Sequence, residues 1–379
     1  MRVAFLTHYA DLYGANRSLL NLIDGLRAYE VQPYVVAPEV GDLTKALEAQ
    51  SVPFAVIAFD VWMAPPGIER GRWGRLLQNI RVFPRLLRQL RQWNTDIVYT
   101  NSSTIAIGHF AAKLLRKRSV WHIREFGALD FGLKPDWGEK ALQSALSTAD
   151  AQIAISEAIR SALLSQQDPR KVHLIYNGVA SEAEFDRLHA LARSRVQNPK
   201  RYTFALVGFI HPAKGQDTAI RAFAQVQHLH PDCELILVGS GTESFLKTCR
   251  TLATELGVEK NVVFTGHLAN PNEIYSRTDA VLMCSRQEAM GRVTVEAMSN
   301  SLPVIGLNSG GTTEIIEHER TGLLYTGGVE ELAACMMRFI ENPGWARKLG
   351  DQGWQVARSR FNTEIYARQV HDVLQSVLI

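Results

Sequence analysis

Residues Asn261 to Leu324 read NVVFTGHLANPNEIYSRTDAVLMCSRQEAMGRVTVEAMSNSLPVIGLNSGGTTEIIEHERTGLL. Ala280 to Ser285 is an apolar run of strand length, and Met290 to Asn300 carries Val293, Val295, Ala297 and Met298 as a helix would. Pro303-Val304-Ile305 opens a second strand, and the Gly-rich turn Ser309 to Glu314 starts another helix. Strand then helix, twice over, predicts the βα units of a doubly wound parallel sheet. Ligands of such sheets sit beyond the carboxyl ends of the strands, where the next helix begins. Two carboxylates fall there, Glu288 in the loop and Glu296 on the helix. On one continuous helix they would stand ~80° apart around the axis and ~12 Å along it, which predicts two contacts to a long ligand rather than one acid pair. Gly291 lets backbone approach a ligand closely, and the first amides of the helix carry partial positive charge that suits a phosphate. Taken singly, either glutamate also fits a solvated acid offsetting the helix dipole. The Gly-rich turns around them are what point to a site.

Working outward, the same alternation runs through the chain. Strand Arg2 to Thr7 leads through a loop containing Gly14 to a helix with Leu19, Leu22, Ile23 and Leu26 on its apolar side. Strands follow at Gln32 to Ala37, Phe54 to Ile57, Asp96 to Thr100 and Ser119 to Ile123, the last delivering His122, Arg124 and Glu125 near its end. A histidine in a strand is as readily a satisfied structural group as a catalytic one. Ser102-Ser103-Thr104 is expected to cap the next helix, and Ser156 the helix after strand Ala149 to Ile155. Glu182 to Lys200 reads as a polar hinge. The pattern then restarts: strand Tyr202 to Val207, a turn from Gly208 to Gly215 with Lys214 just before a helix, strand Glu234 to Val238, and the turn Gly239-Ser240-Gly241. That last turn resembles the start of a dinucleotide fingerprint, but Ser244 takes the place of its third glycine, which argues against a nicotinamide cofactor. Three helices close the chain, from Glu330 to Glu341, Pro343 to Arg360 and Thr363 to Leu378.

One stretch stands apart. Glu69 to Trp93, ERGRWGRLLQNIRVFPRLLRQLRQW, holds seven arginines and an apolar series Trp73, Leu76, Leu77, Ile80, Phe83, Leu87 and Leu90 at helical spacing, with Pro84 expected to divide it into two helices. Such a segment suits either an anionic membrane surface or a helix that covers the sheet with its arginines solvated.

The 379 residues predict two domains of ~150 to 200 residues each. With 46% apolar and 21% charged residues the composition is that of a globular protein, and a net charge of +3 argues against a general nucleic-acid binder. Cys233, Cys249, Cys284 and Cys335 lie far apart in no metal-like spacing and read as reduced, buried thiols of a cytoplasmic protein. The amino terminus reads as a first strand rather than a signal peptide, and no window is long and apolar enough to span a membrane.

EAMGRVTVE at Glu288 to Glu296, KGQ at Lys214 to Gln216, LVGSG at Leu237 to Gly241 and SGGTTEII from Ser309 together resemble the retaining glycosyltransferases of family 4. The resemblance implies the GT-B fold, two facing Rossmann-like domains with a cleft between them: an acceptor domain over 1–195, a nucleotide-sugar domain over 196–362, and a terminal helix, 363–379, crossing back to the first. It implies that Glu288 meets donor-sugar hydroxyls, that Glu296 holds the ribose hydroxyls, and that Lys214 binds the pyrophosphate. Met290, Gly291 and Arg292 would add backbone amides, Gly14, Gly208 and Gly239 would line the donor site, and His122 would lie near the transferred sugar. Two positions depart from the family: Tyr13 stands where a glycine is usual, and Phe209 where an arginine pairs with the lysine. Arg292, or else Arg286, is expected to supply the missing charge. No Asp-x-Asp tripeptide occurs, and neither metal nor cofactor is expected beside the nucleotide-sugar donor. The implied acceptor is a saccharide or a lipid-linked one, in polysaccharide or glycoconjugate biosynthesis; the basic amphipathic pattern of 69–93, read on its own, offers a peripheral membrane contact. A sugar-nucleotide epimerase of the same fold, or a non-catalytic nucleotide-sugar-binding partner, would share most of these features.

Overall fold

A computed structural model of the chain describes residues 1–65, 71–194, 201–268 and 270–379. Glu69 and Arg70 of the basic stretch, the end of the expected hinge (195–200) and residue 269 lie outside them. Contacts divide the chain into two compact units, Met1–Gly178 with Thr363–Ile379, and Val179–Asn362.

Among the described residues of the first unit the strands are β1 (Arg2–Leu6), β2 (Gln32–Ala37), β3 (Phe54–Val56), β4 (Met63–Ala64), β5 (Ile97–Thr100), β6 (Arg118–Ile123), β7 (Lys134–Pro135), β8 (Ala151–Ala154) and β9 (Val172–Leu174). Seven form a parallel sheet in the order β3-β2-β1-β5-β6-β8-β9, and β4 pairs antiparallel with β7. The second unit has β10 (Thr203–Val207), β11 (Glu234–Val238), β12 (Val262–Gly266), β13 (Ala280–Met283), β14 (Val304–Leu307) and β15 (Gly322–Tyr325), all parallel, in the order β12-β11-β10-β13-β14-β15. The strands are near-continuous apolar runs, such as the buried Val3 to Leu6 and Ala280 to Met283, because helices cover both faces. Each sheet reverses its winding once, between β1 and β5 and between β10 and β13. Those reversals open a crevice at the carboxyl ends of the two strands, the place where open α/β sheets take ligands.

The unit boundary falls after Gly178 rather than near residue 195. Helix Glu182–Arg193 packs with the second unit, where the Trp354 indole donates to the Phe185 carbonyl at 2.9 Å and Arg358 pairs with Asp186. The terminal helix Thr363–Ser376 packs in the first unit against helix Gly14–Leu26, burying Tyr366, Ala367, Val370, Val373 and Leu374. The crossing is close: a Cβ on Gly25 would come within 2.6 Å of the Ala367 Cβ.

Two local expectations change. Arg72–Gln92 is one helix with Pro84 inside it, not two. Proline removes one backbone hydrogen bond and crowds the carbonyl four residues back, but both halves are held independently. Arg75 pairs with Asp136 and Asn79 bonds the backbone of Asp60 before the proline, while Leu86 and Leu90 are buried after it. The face that turns inward also differs: Trp73, Leu77 and Ile80 are exposed, and the charged Arg75 is buried on its aspartate. Ser102 and Ser103 do not cap a helix. The next helix begins at Ile107 without a side-chain cap, and both hydroxyls donate instead to Glu125. Ser156 does cap its helix, accepting from the Ile159 amide at 3.1 Å.

Candidate active site

In the second unit three βα loops meet, after β10, β13 and β14. Lys214 ends a short turn of helix, Pro212–Lys214, whose entry is capped by the His211 ring accepting from the Ala213 amide. Gly215 follows in the left-handed conformation, φ +70°, pressed so close to the end of β13 that a Cβ would lie 2.4 Å from the Cys284 carbonyl. Only glycine fits there, and the loop after β10 is thereby locked to the loop after β13. The Arg286 amide donates to the Ala213 carbonyl at 3.0 Å, tying the same two loops a second time.

This docking brings Lys214 and Glu288, 74 positions apart, to 2.7 Å between Nζ and Oε2, with both side chains partly exposed. Glu288 is held by its backbone: its carbonyl accepts from the Gly311 amide at 2.7 Å, and a Cβ on Gly310, at φ +54°, would strike that carbonyl at 2.5 Å. The Gly pair after β14 is thus the support on which the acid rests. Gly291, at φ +99°, caps helix Arg292–Ser299, which begins two residues later than the sequence pattern predicts. Glu296 lies on that helix and receives Arg292 Nε at 2.8 Å and the Tyr275 hydroxyl at 3.4 Å. Met290 is buried.

The glycines after β10 and β11 have a different role from one another. A Cβ on Gly239 would lie 1.9 Å from the Gly208 carbonyl, so Gly239 lets the two turns touch, whereas Gly208 faces open space. Phe209 beside it is 39% exposed and its ring stacks at 6.4 Å on His211. Of the two arginines considered as replacements for its missing charge, Arg292 is engaged by Glu296 and reaches the Val179 carbonyl, while exposed Arg286 has no carboxylate partner among the described residues.

In the first unit Gly14 opens helix Gly14–Leu26 with nothing within 4 Å of where a Cβ would stand, and Tyr13 before it is exposed. His122 is fully buried at the end of β6. Its Nδ1 shares a hydrogen bond with the Tyr99 hydroxyl at 2.6 Å, and its Nε2 has no partner among the described residues. Burial, and then the charge of Arg124, hold its pKa well below the ordinary value, so the ring is neutral. Arg124 donates to Asn101 at 2.7 Å, Asn177 at 2.6 Å and the Tyr366 hydroxyl at 2.9 Å, and Glu125 accepts from Ser102, Ser103 and the Ser103 amide. Burial raises the Glu125 pKa against those hydrogen bonds. Tyr366 and Asn101 escaped the sequence reading. Nothing local marks a tyrosine 242 positions from its arginine. Among the described residues no three of His, Cys, Asp and Glu converge as a metal set, and no helix is long and apolar enough to cross a membrane. The four cysteines are buried free thiols; burial pushes the Cys284 thiol up to about 12.

Two family models match the chain almost end to end, Glycosyltransferase Family 4 over residues 13–183 and Glycosyl transferases group 1 over residues 190–356. A GDP-mannose-dependent alpha-(1-6)-phosphatidylinositol monomannoside mannosyltransferase of Mycobacterium tuberculosis is 32% identical over 184 residues, 45% of this chain and 47% of that protein. N-acetyl-alpha-D-glucosaminyl L-malate synthase of Bacillus anthracis is 25% identical over 237 residues, 62% of this chain and 61% of that one. The matched stretches thus span about half to three fifths of these relatives. Among solved structures, Anabaena Alr3699/HepE with UDP and glucose superposes over 99% of this chain and 100% of that one with a TM-score of 0.82 at 24% identity, and sucrose-phosphate synthase of Thermosynechococcus elongatus over 100% and 99% with 0.78 at 19%. These likenesses show the GT-B fold class, and the paired family models show that the chain belongs to glycosyltransferase family 4.

Proposed function

We propose that the chain transfers a sugar from a nucleotide-sugar donor to a saccharide or lipid-linked acceptor, with retention at the anomeric carbon and without a metal ion. The observation that carries this reading is the 2.7 Å pairing of Lys214 with Glu288 at the winding reversal of the second sheet. A sugar joined to a phosphate presents anionic oxygens and hydroxyls side by side, and this pair offers a cation and a hydroxyl acceptor side by side. Lys214 neutralises charge that grows on the departing phosphate, Glu288 orients sugar hydroxyls, and Glu296, already poised by Arg292 and Tyr275, accepts the ribose hydroxyls. In a retaining transfer the departing phosphate takes the acceptor proton, so no separate base is required of the protein. Arg286 rather than Arg292 is the better replacement for the arginine absent at Phe209, because the Arg292 charge is already met by Glu296. His122, buried and neutral, fits a positioning role more than proton transfer. The absence of an Asp-x-Asp tripeptide supports a metal-independent reaction, and the family's lipid-modifying members support a cytoplasmic enzyme working at the inner membrane face.

The test is a thermal-shift panel of UDP-, GDP-, ADP-, dTDP- and CMP-sugars, since a ligand that binds only the native state raises its melting temperature by mass action. The relatives' names include both GDP-mannose and UDP, so both belong in it. One nucleotide class is expected to stabilise the chain. Lys214→Met should weaken that binding about 10- to 100-fold, the worth of a charged hydrogen bond. Transfer should persist in chelator. No shift with any nucleotide sugar overturns the donor site, release of donor sugar with no acceptor dependence favours the epimerase, and binding without turnover favours the non-catalytic partner.

A further inference from the structure

On the first unit a groove of about 610 Å³ lies between helix Arg72–Gln92, helix Ile107–Leu114 and the segments that flank β4 and β7. Trp62, Phe83, Phe110 and Trp137 are its aromatic walls, with Leu76 and Ile80 between them. Its two polar side chains are already used: Asn79 exchanges hydrogen bonds with the backbone of Asp60, and Asp136 takes the Arg75 guanidinium. A sugar or nucleotide would find few hydrogen-bonding groups among these walls. The volume falls within the ~300–1,000 Å³ of ligand pockets, and the lining calls for a hydrocarbon.

The rim indicates where that hydrocarbon comes from. Trp73, Leu77, Ile80, Phe110, Leu114 and Trp137 are each between 37% and 65% exposed, more apolar surface in one region than a water-facing wall needs. Beside this stripe, on the solvent side of the same helix, stand Arg81, Arg85, Arg88 and Arg91, all exposed and without a carboxylate partner among the described residues; the helix contains no acid at all. Arg72 lies over the Trp73 and Trp137 rings at 5.8 and 5.5 Å. Aromatic side chains and arginines along one edge of a helix are the composition of an element lying in a membrane interface. A single buried chain gives only marginal membrane binding and a basic patch supplies the second attraction, so groove and arginines make one device.

We propose that this groove takes one acyl chain of an anionic membrane phospholipid while the arginines hold the neighbouring headgroups. Lys214 and Glu288 have no part in it, so it stands or falls apart from the sugar-transfer reading. The test uses the full chain with vesicles of phosphatidylcholine alone or mixed with phosphatidylglycerol, some carrying brominated acyl chains. The chain should bind only the anionic vesicles, and salt should weaken the binding. Brominated chains should quench tryptophan emission, and the triply substituted Trp62→Phe, Trp73→Phe, Trp137→Phe chain should lose most of that quenching. Ile80→Ser with Phe110→Ser, both at exposed positions, should lower vesicle partitioning about tenfold or more, the effect of removing the apolar half of a two-part anchor. Arg85→Glu with Arg88→Glu should abolish the anionic preference while leaving the circular dichroism unchanged. Absence of vesicle binding overturns the proposal, as does binding that survives the groove substitutions. So does a dimer that Ile80→Ser with Phe110→Ser dissolves, which would give the groove to a second copy of the chain.

Discussion

His109 lies in helix Ile107–Leu114 with both ring nitrogens bonded, to Ser119 at 2.8 Å and Thr148 at 2.9 Å, and it stacks on Trp121. Burial first, and the nearby Lys113 charge second, lower its pKa to about 4. The unfolded chain binds a proton near pH 6.5 that the folded chain refuses until about pH 4, so stability is complete above 6.5 and falls as the pH drops through that window. From this one residue the loss between neutral pH and pH 5 is about 2 kcal/mol. His122, also held neutral by burial, adds a loss of the same sign. Urea unfolding at pH 7 and pH 5 checks it: His109→Gln should destabilise the chain at neutral pH yet show a pH dependence smaller by that amount. An unchanged pH dependence would mean that the ring takes up its proton as readily in the folded chain as in the unfolded one.

At the scale of elements, the site depends on glycines that hold loops against one another more than on the helix that carries Glu296. Gly215 has a left-handed φ and a carbonyl where its Cβ would be. Gly215→Ala therefore has to move the loop after β10, and Lys214 with it, away from Glu288. The expected cost is about 1–3 kcal/mol of stability, the range for a residue forced into a disfavoured backbone region. Donor-induced thermal stabilisation should fall with it. Gly14→Ala, by contrast, places a methyl in open space and should leave stability within about 0.5 kcal/mol of the parent, as at most surface positions. Equal effects of the two substitutions in calorimetry would show that the packing of Gly215 on Cys284 does not hold the loop.

At the scale of the whole molecule, the last helix completes the unit that the first strand began. Tyr366, Ala367, Val370, Val373 and Leu374 are buried in the first unit's core, and the Tyr366 hydroxyl takes one arm of Arg124. A chain ending at residue 362 loses these contacts, several kcal/mol at about 1.5–3 kcal/mol for each large apolar side chain. Scanning calorimetry should then show the first unit melting early and the second, which ends at Asn362, unchanged. Loss of both transitions together would mean that the units do not melt independently.

What the sequence by itself determined is whatever short-range pattern encodes. Alternating apolar strands and amphipathic helices write out both sheets, and β2 and β11 fall on their expected residues, because hydrophobic periodicity is local. The placement of Glu288 and Lys214 in loops before helices, and of Glu296 on a helix, was legible for the same reason; the pairing of Arg292 with Glu296 was not, since Arg292 is expected on the phosphates. The tertiary structure alone decided what those groups touch. Lys214 meets Glu288 only because Gly215, Gly310 and Gly311 let three backbones close on one another, and Arg124 meets Tyr366 across 242 positions. It also decided that Pro84 would not break its helix, and that Trp73, Leu77 and Ile80 would face outward while Arg75 turned in. A helix's apolar residues mark a face, but which neighbour supplies an aspartate and which leaves a groove depends on segments distant in sequence.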